Sequence, residues 1–182
     1  VICGSSASWL IRNIIHNKGG LHNRITGRIR LEPFNLAETA QFLAAKKIKL
    51  NHRQILGLYM AVGGIPYYLN YVEKGSSVEQ NIQRMLFDKN GPLRDEFDQL
   101  FASLFETAEA YVELVKLIGE KKEGATRAQL VSAAKLSKGG GGQLSDRLED
   151  LAAAGFIEEM TPWNRNKGQY YKLVDPFSLF YL

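Results

Sequence analysis

Cysteine is almost missing: Cys3 stands alone among 182 residues, so no disulfide frame is available and a reducing, cytoplasmic setting is expected. Long apolar runs are missing too. No stretch of eighteen apolar residues occurs, which excludes a membrane-spanning helix by the usual length rule and leaves no membrane partner to expect. No charged start leads into a short apolar run and a cleavage site. Histidine is sparse, and His16, His22 and His52 fall with Cys3 in no metal-ligand spacing, so no metal site is expected. What remains is 45% hydrophobic, enough for a globular core in one domain or two small ones.

The charge is present but unevenly placed. Residues 1–60 carry a net +7, residues 61–106 a net −3, and residues 107–182 balance at zero. A basic excess confined to the first third points to a phosphate-bearing partner near that end. Val1 opens directly on an apolar, strand-like run, which gives the expectation that the chain is a piece of something longer.

The stretch Met60-Ala61-Val62-Gly63-Gly64-Ile65-Pro66-Tyr67-Tyr68-Leu69 interrupts a helical pattern. Apolar residues at 55, 58, 59, 62, 65, 69 and 72 keep the three-and-four spacing of an amphipathic helix. Two glycines and a proline inside that stripe cost about 1 kcal/mol per Gly and about 3 for Pro if the helix continued. Two readings stay open: a helix that ends at the glycines with Pro66 in the first turn of the next, or a bare turn on which a flat ligand such as a nucleotide base packs.

Taken in order, Val1 to Ser6 reads as a buried strand giving way to small polar residues, and Ser8 can cap a helix carrying Trp9, Leu10, Ile14 and Ile15. Gly19-Gly20 ends it, and Arg28-Ile29-Arg30-Leu31 reads as a second short strand. Asn35 with Glu38 three residues on is a capping-box pattern, and Ser76 or Ser77 caps a later helix through Ile82, Met85 and Leu86. Residues 36–106 thus read as an all-helical block whose large apolar residues form its core. Residues 108–174 read as three helices, with Thr126 capping the second and Leu144, Leu148 and Leu151 on one face of the third, followed by a hairpin of 156–160 and 170–174. That order is a winged helix. Its third helix offers Arg147 against Asp146, Glu149 and Asp150, a poor surface for displacing DNA counterions. The wing carries Arg165 and Lys167 near Trp163, the better candidates for nucleic acid.

Together these marks resemble the prokaryotic P-loop ATPases of the archaeal type, related to the AAA+ and STAND classes, whose core is followed by a helical lid and a winged helix. The marks are Ile2 to Ser6 with Ser8-Trp9; Arg24 ahead of Ile29 to Phe34; Gly63 to Leu69; and Tyr171 with Asp175-Pro176-Phe177 and Phe180-Tyr181. The resemblance implies a mainly α fold with a small β component, divided into a remnant of the P-loop α/β domain (1–34), a helical lid bundle (35–106), a winged helix (107–175) and the start of a following segment (176–182). It implies Ser5 and Ser6 at the sensor position beside the phosphates, Arg24 as the arginine reaching the transferring phosphoryl group, and Gly63, Gly64 and Pro66 as the lid turn on the adenine.

The departures are as informative. No segment has the form Gly-x-x-x-x-Gly-Lys-Ser/Thr, and no apolar strand ends in an acidic pair for Mg²⁺. ATP and Mg are therefore implied for the intact protein and no cofactor for this chain alone, which is expected to be non-hydrolytic. In such folds the strand carrying the P-loop lies between the two strands retained here, so residues 1–4 and 28–31 are expected to be displaced, irregular or paired with another copy of the chain. The reading from another class is a winged-helix DNA-binding regulator. A protein partner for the winged helix is the remaining expectation, with no identity implied.

Overall fold

The computed structural model describes residues 26–27, 29–133, 141–161, 163 and 169–182. Its elements are α1 (Leu36–Ala45), α2 (His52–Val62), the short α3 (Pro66–Leu69), α4 (Val78–Ile82) running into a π-helical turn (Gln83–Phe87), α5 (Glu96–Leu104), α6 (Ala108–Gly119), β1 (Ala125–Thr126), α7 (Arg127–Ala133), α8 (Gly141–Ala153), β2 (Ile157–Met160), β3 (Tyr170–Leu173) and α9 (Pro176–Tyr181). The fold is mainly α with one small three-stranded antiparallel sheet in the order β1-β3-β2. No helix among the described residues is long and apolar enough to cross a membrane. Val1 to Gly4 lie outside the described residues, and 29–31, read from sequence as a second strand, carry no secondary structure. Ile29 and Leu31 are 91% and 90% exposed.

The chain divides into two compact units. The helical unit comprises residues 31–100 and 175–182. Three of its helices start with the same device. Asn35 with Glu38, Asn51 with Gln54, and Ser77 with Gln80 each exchange side-chain bonds with the partner's backbone N–H, a complete capping box. Only the first was read from sequence in full. Behind the caps, Leu43, Ile55, Leu58, Val62, Leu69, Met85, Leu93, Phe97 and Phe177 are buried. The terminal α9 packs on α2 within this same unit, with Phe177 5.1 Å from the ring of Tyr68 and Tyr181 stacked on Phe97 at 4.3 Å.

The loop from α3 to α4 is held by a buried amide. Asn81 falls three residues after Val78 and four before Met85, on the apolar stripe of α4, and is 1% exposed. Its Oδ1 accepts from the Glu73 N–H at 2.7 Å and from Arg84 Nη2 at 3.1 Å, and its Nδ2 donates to the Ser77 carbonyl at 2.9 Å. Arg84 also donates to the Tyr71 carbonyl and pairs with Glu73 at 3.3 Å.

The second unit holds residues up to 30 and 101–174. Its hairpin pairs Ile157 with Leu173 and Met160 with Tyr170, and β1 adds Ala125 and Thr126 against Tyr171 and Tyr170. Leu144, Leu148 and Leu151 of α8 are buried together with Leu114, Ile118 and Leu130. Phe105 stacks on Tyr111 at 3.9 Å, and Phe101 meets Phe156 at 4.7 Å. Asp150, which the spacing alone assigned to an acidic outer face, is 5% exposed and accepts from the Tyr111 hydroxyl at 2.6 Å. The outward carboxylates of α8 are Asp146 and Glu149, and Arg147 lies over the Tyr111 ring at 5.9 Å.

Replacing Asn81 by Ala strands the groups it satisfies. The expected cost is about 2 kcal/mol or more, read as a lower urea midpoint with the slope unchanged; a variant within 0.5 kcal/mol of wild type would show that the loop holds itself.

Candidate functional site

The turn between α2 and α3 is the described part of the site implied by the sequence. Helix α2 stops because Gly63 takes a left-handed conformation, φ +66°, with its N–H donating to the Tyr59 carbonyl at 2.8 Å. Ile65 is the N-cap of α3, and Pro66 occupies the first turn, where a missing N–H costs nothing. The helix therefore ends and restarts here.

The bareness of the turn has an internal use. A Cβ on Gly64 would stand 1.8 Å from the Phe34 carbonyl oxygen, and the Phe34 N–H donates to the Gly64 carbonyl at 2.8 Å. The chain entering α1 thus crosses Gly64 backbone to backbone. On Gly63 the nearest atoms to such a Cβ are those of the Pro176 ring, from 3.7 Å. Gly63 and Gly64 are both buried, while Pro66 is exposed and Tyr67 is 53% exposed. The solvent face of the turn is the Pro66 ring with the Tyr67 phenol beside it.

The tyrosines that follow point two ways. Tyr67 meets Tyr71 edge to face at 5.3 Å, with the two hydroxyls hydrogen-bonded to each other at 2.8 Å, and sharing that bond and its proton with Tyr71 raises the Tyr67 phenol above its ordinary value. Tyr68 turns inward, 3% exposed, and donates to Glu96 at 2.9 Å. Burial first, and the Glu96 charge second, push its phenol well up, so it stays a donor at any working pH. Opposite, Asp175 caps α9 by accepting from the Ser178 N–H at 2.7 Å. Burial raises its carboxyl above the ordinary 3.8, only partly offset by the bonds from Ser178.

Of the residues expected to act on phosphates, Ser5, Ser6 and Arg24 lie outside the described residues, as do Arg165 and Lys167 of the wing. Trp163 beside them is described and fully exposed. No group of three or more His, Cys, Asp or Glu among the described residues could hold a metal ion. The described part of the turn is thus an exposed Pro66 and Tyr67 over two buried glycines. Tyr67 was given no part by the sequence reading; an aromatic immediately after the helix-starting proline was the signal available.

No family profile and no curated protein matches the chain. Among solved structures it is similar to the Walker-type ATPase PABY2304 of Pyrococcus abyssi, with a TM-score of 0.61 at 20% sequence identity, over 97% of this chain and 50% of that one. At that identity the likeness is one of fold. The chain spans about half the length of the structure it matches.

Two outcomes follow from the turn. Gly64→Ala drives a methyl into the Phe34 carbonyl and is expected to cost roughly 3 kcal/mol or more; Gly63→Ala meets ordinary contact distances and costs only the strain of a backbone conformation, φ +66° and ψ −164°, that glycine alone adopts readily, about 1–3 kcal/mol. Chemical denaturation of both variants checks the order, and equal losses would mean that Phe34 yields. Asp175, with its folded value raised, binds more protons folded than unfolded, so its contribution to stability falls as pH rises from about 3.8 through that raised value. Asp175→Asn keeps the capping acceptor and is expected to flatten thermal stability against pH in that window; an unchanged profile would exclude Asp175 as the source.

Proposed function

We propose that this chain is the C-terminal part of an ATP-binding P-loop ATPase: the end of the nucleotide-binding domain (1–34), a helical lid (35–106) and a winged helix (107–175), with lid and winged helix responding to nucleotide state. The observation that carries the reading is the fold shared with a Walker-type ATPase along nearly the whole chain. The order of α6, β1, α7, α8, β2 and β3 with a β1-β3-β2 sheet supports the winged-helix assignment. In this reading ATP binds with its base on Pro66 and Tyr67, while Gly63 and Gly64 shape the turn from within. Ser5 and Ser6 would meet the γ-phosphate, and Arg24 would offset charge on the transferring phosphoryl group. Mg²⁺ and the phosphates would be gripped by motifs that this sequence does not contain, so the chain alone is proposed to be non-hydrolytic.

The DNA-binding regulator has less behind it. A helix that presents Asp146 and Glu149 outward, with Arg147 over Tyr111, repels the phosphates it would approach.

The test is calorimetric titration of MgATP into the gene-length protein, with Pro66→Ala alongside. Micromolar binding, weakened roughly fivefold to tenfold by the loss of ring contact, is the expected result, with unchanged circular dichroism showing that the lid still folds. Absence of binding would overturn the ATPase reading; binding indifferent to Pro66 would remove the base from this turn.

A further inference from the structure

The inward contacts of the turn and of α3 stand at the start of two passages of the chain that the nucleotide reading leaves unused. The chain passes between its two units at 30–31, 100–101 and 174–175. The first passage carries no secondary structure. The second falls inside α5, which runs unbroken from Glu96 to Leu104. The third rests on Asp175, set between the Val174 N–H, which is still bonded within the second unit, and Pro176, the first residue of α9.

Both structured passages start against the turn. Tyr68, next to the exposed Tyr67, is 3% exposed and donates to Glu96 at 2.9 Å, so α3 is bonded to the residue that opens α5. The ring of Pro176 lies 3.7 Å from where a Cβ on Gly63 would stand. Neither passage has much backbone freedom. In α5 the dihedrals are fixed by helical hydrogen bonding. At the other passage Pro176 locks its own φ and keeps Asp175 extended, at φ −64° and ψ 119°. The Asp175 side chain adds a bond from the Ser178 N–H at 2.7 Å.

Both passages also end on one residue of the second unit. Phe101, in the last turn of α5, meets the Phe156 ring at 4.7 Å. The Val174 N–H donates to the Phe156 carbonyl at 2.9 Å. Phe156 is 4% exposed and leads directly into β2 at Ile157. Its ring is therefore held by α5 and its carbonyl by the segment that runs into α9. A residue packed and bonded in this way leaves little slack in which a displacement could be lost.

We propose that, resting on the ATP-binding reading above, the Tyr68–Glu96 and Gly63–Pro176 contacts carry nucleotide occupancy of the turn to Phe156 and so to β2 and β3. A base on Pro66 and Tyr67 bears on the short helix that holds Tyr68 and on the turn that holds Gly63. Either shift reaches Phe156 through backbone with few dihedrals free to absorb it. Tyr68, Glu96, Pro176 and Phe156 are positioning residues: they touch no nucleotide, and they decide whether binding is felt at the hairpin.

The experiment is amide hydrogen exchange of the gene-length protein with and without MgATP, read on peptides covering 154–160 and 170–174, with calorimetry of the same samples. In wild type MgATP is expected to change exchange there about fivefold or more, the lower end of ordinary coupling between sites. Tyr68→Phe keeps the ring beside Phe177 and removes the bond to Glu96, while Pro176→Ala removes the ring from Gly63 and frees φ. Each is expected to shrink the response by roughly half, and the pair to abolish it, as parallel routes require. MgATP still binds both, and their exchange without nucleotide matches wild type, which a merely structural loss would alter. Tyr68→Phe differs by one oxygen and carries the test by itself should Pro176→Ala fold poorly. Wild type that binds MgATP with no change at these peptides, or variants that respond as wild type does, would overturn the relay and leave nucleotide binding standing. Absence of MgATP binding to wild type would instead overturn the reading on which the relay rests, and the relay with it.

Discussion

The crossing of Phe34 over Gly64 is the constraint on which the helical unit depends. Two backbones meet where any side chain would collide with a carbonyl oxygen, and a hydrogen bond from the Phe34 N–H fixes the crossing. One residue earlier, Gly63 ends α2 in a conformation that L side chains resist and lies against the ring of Pro176. The entry to α1, the exit from α2 and the start of α9 are distant in sequence, and they are brought together at two residues without side chains. Buried apolar residues then fill in around a geometry already set.

That constraint changes what the glycine pair says about ligands. A bare turn in an apolar helix pattern invites the thought of a ligand lying on it, yet both glycines are covered by the chain's own backbone and by Pro176. The face left to solvent is Pro66 and Tyr67. Tyr68, next along, is committed inward to Glu96, so three consecutive residues divide between surface and core. This is how a four-residue helix can serve a rigid unit and still present an aromatic edge outward.

Charge shows a similar division. Asp150 and Glu96 each take a tyrosine hydroxyl, a use in which a carboxylate anchors packing and adds little to the outer field. Asp146 and Glu149 keep their outward exposure, and exposed cations stand in both units, among them Lys47, Lys49 and Arg53 in the helical unit and Lys116, Lys121 and Lys122 in the other. The net +7 of the first sixty residues is a count that could not say which of those cations were already engaged, as Lys46 is with Asn70.

Much of the fold was legible before any coordinates. Helix ends were readable because caps and breakers act within three or four residues: Asn35 with Glu38, Ser77, Gly63, Pro66 and Gly155 all do locally what their side chains dictate. The hairpin was read as 156–160 and 170–174 about a polar turn, and its strands form at 157–160 and 170–173. The implied site was only partly legible, since the pattern found the turn at 63–66 but could not tell which of its residues face solvent. The remainder was not in the sequence pattern, because it joins residues far apart. Asn81 drew no reading from the sequence, and only the folded loop supplies its partners at 73, 77 and 84. Asp150 looked like a surface acid until α6 placed Tyr111 over it. Sequence determined the elements and their order, since propensity and capping are short-range. Tertiary structure decided why the glycines are bare, which acids are internal and which cations face outward, because those depend on backbones and side chains that meet only after the chain has folded.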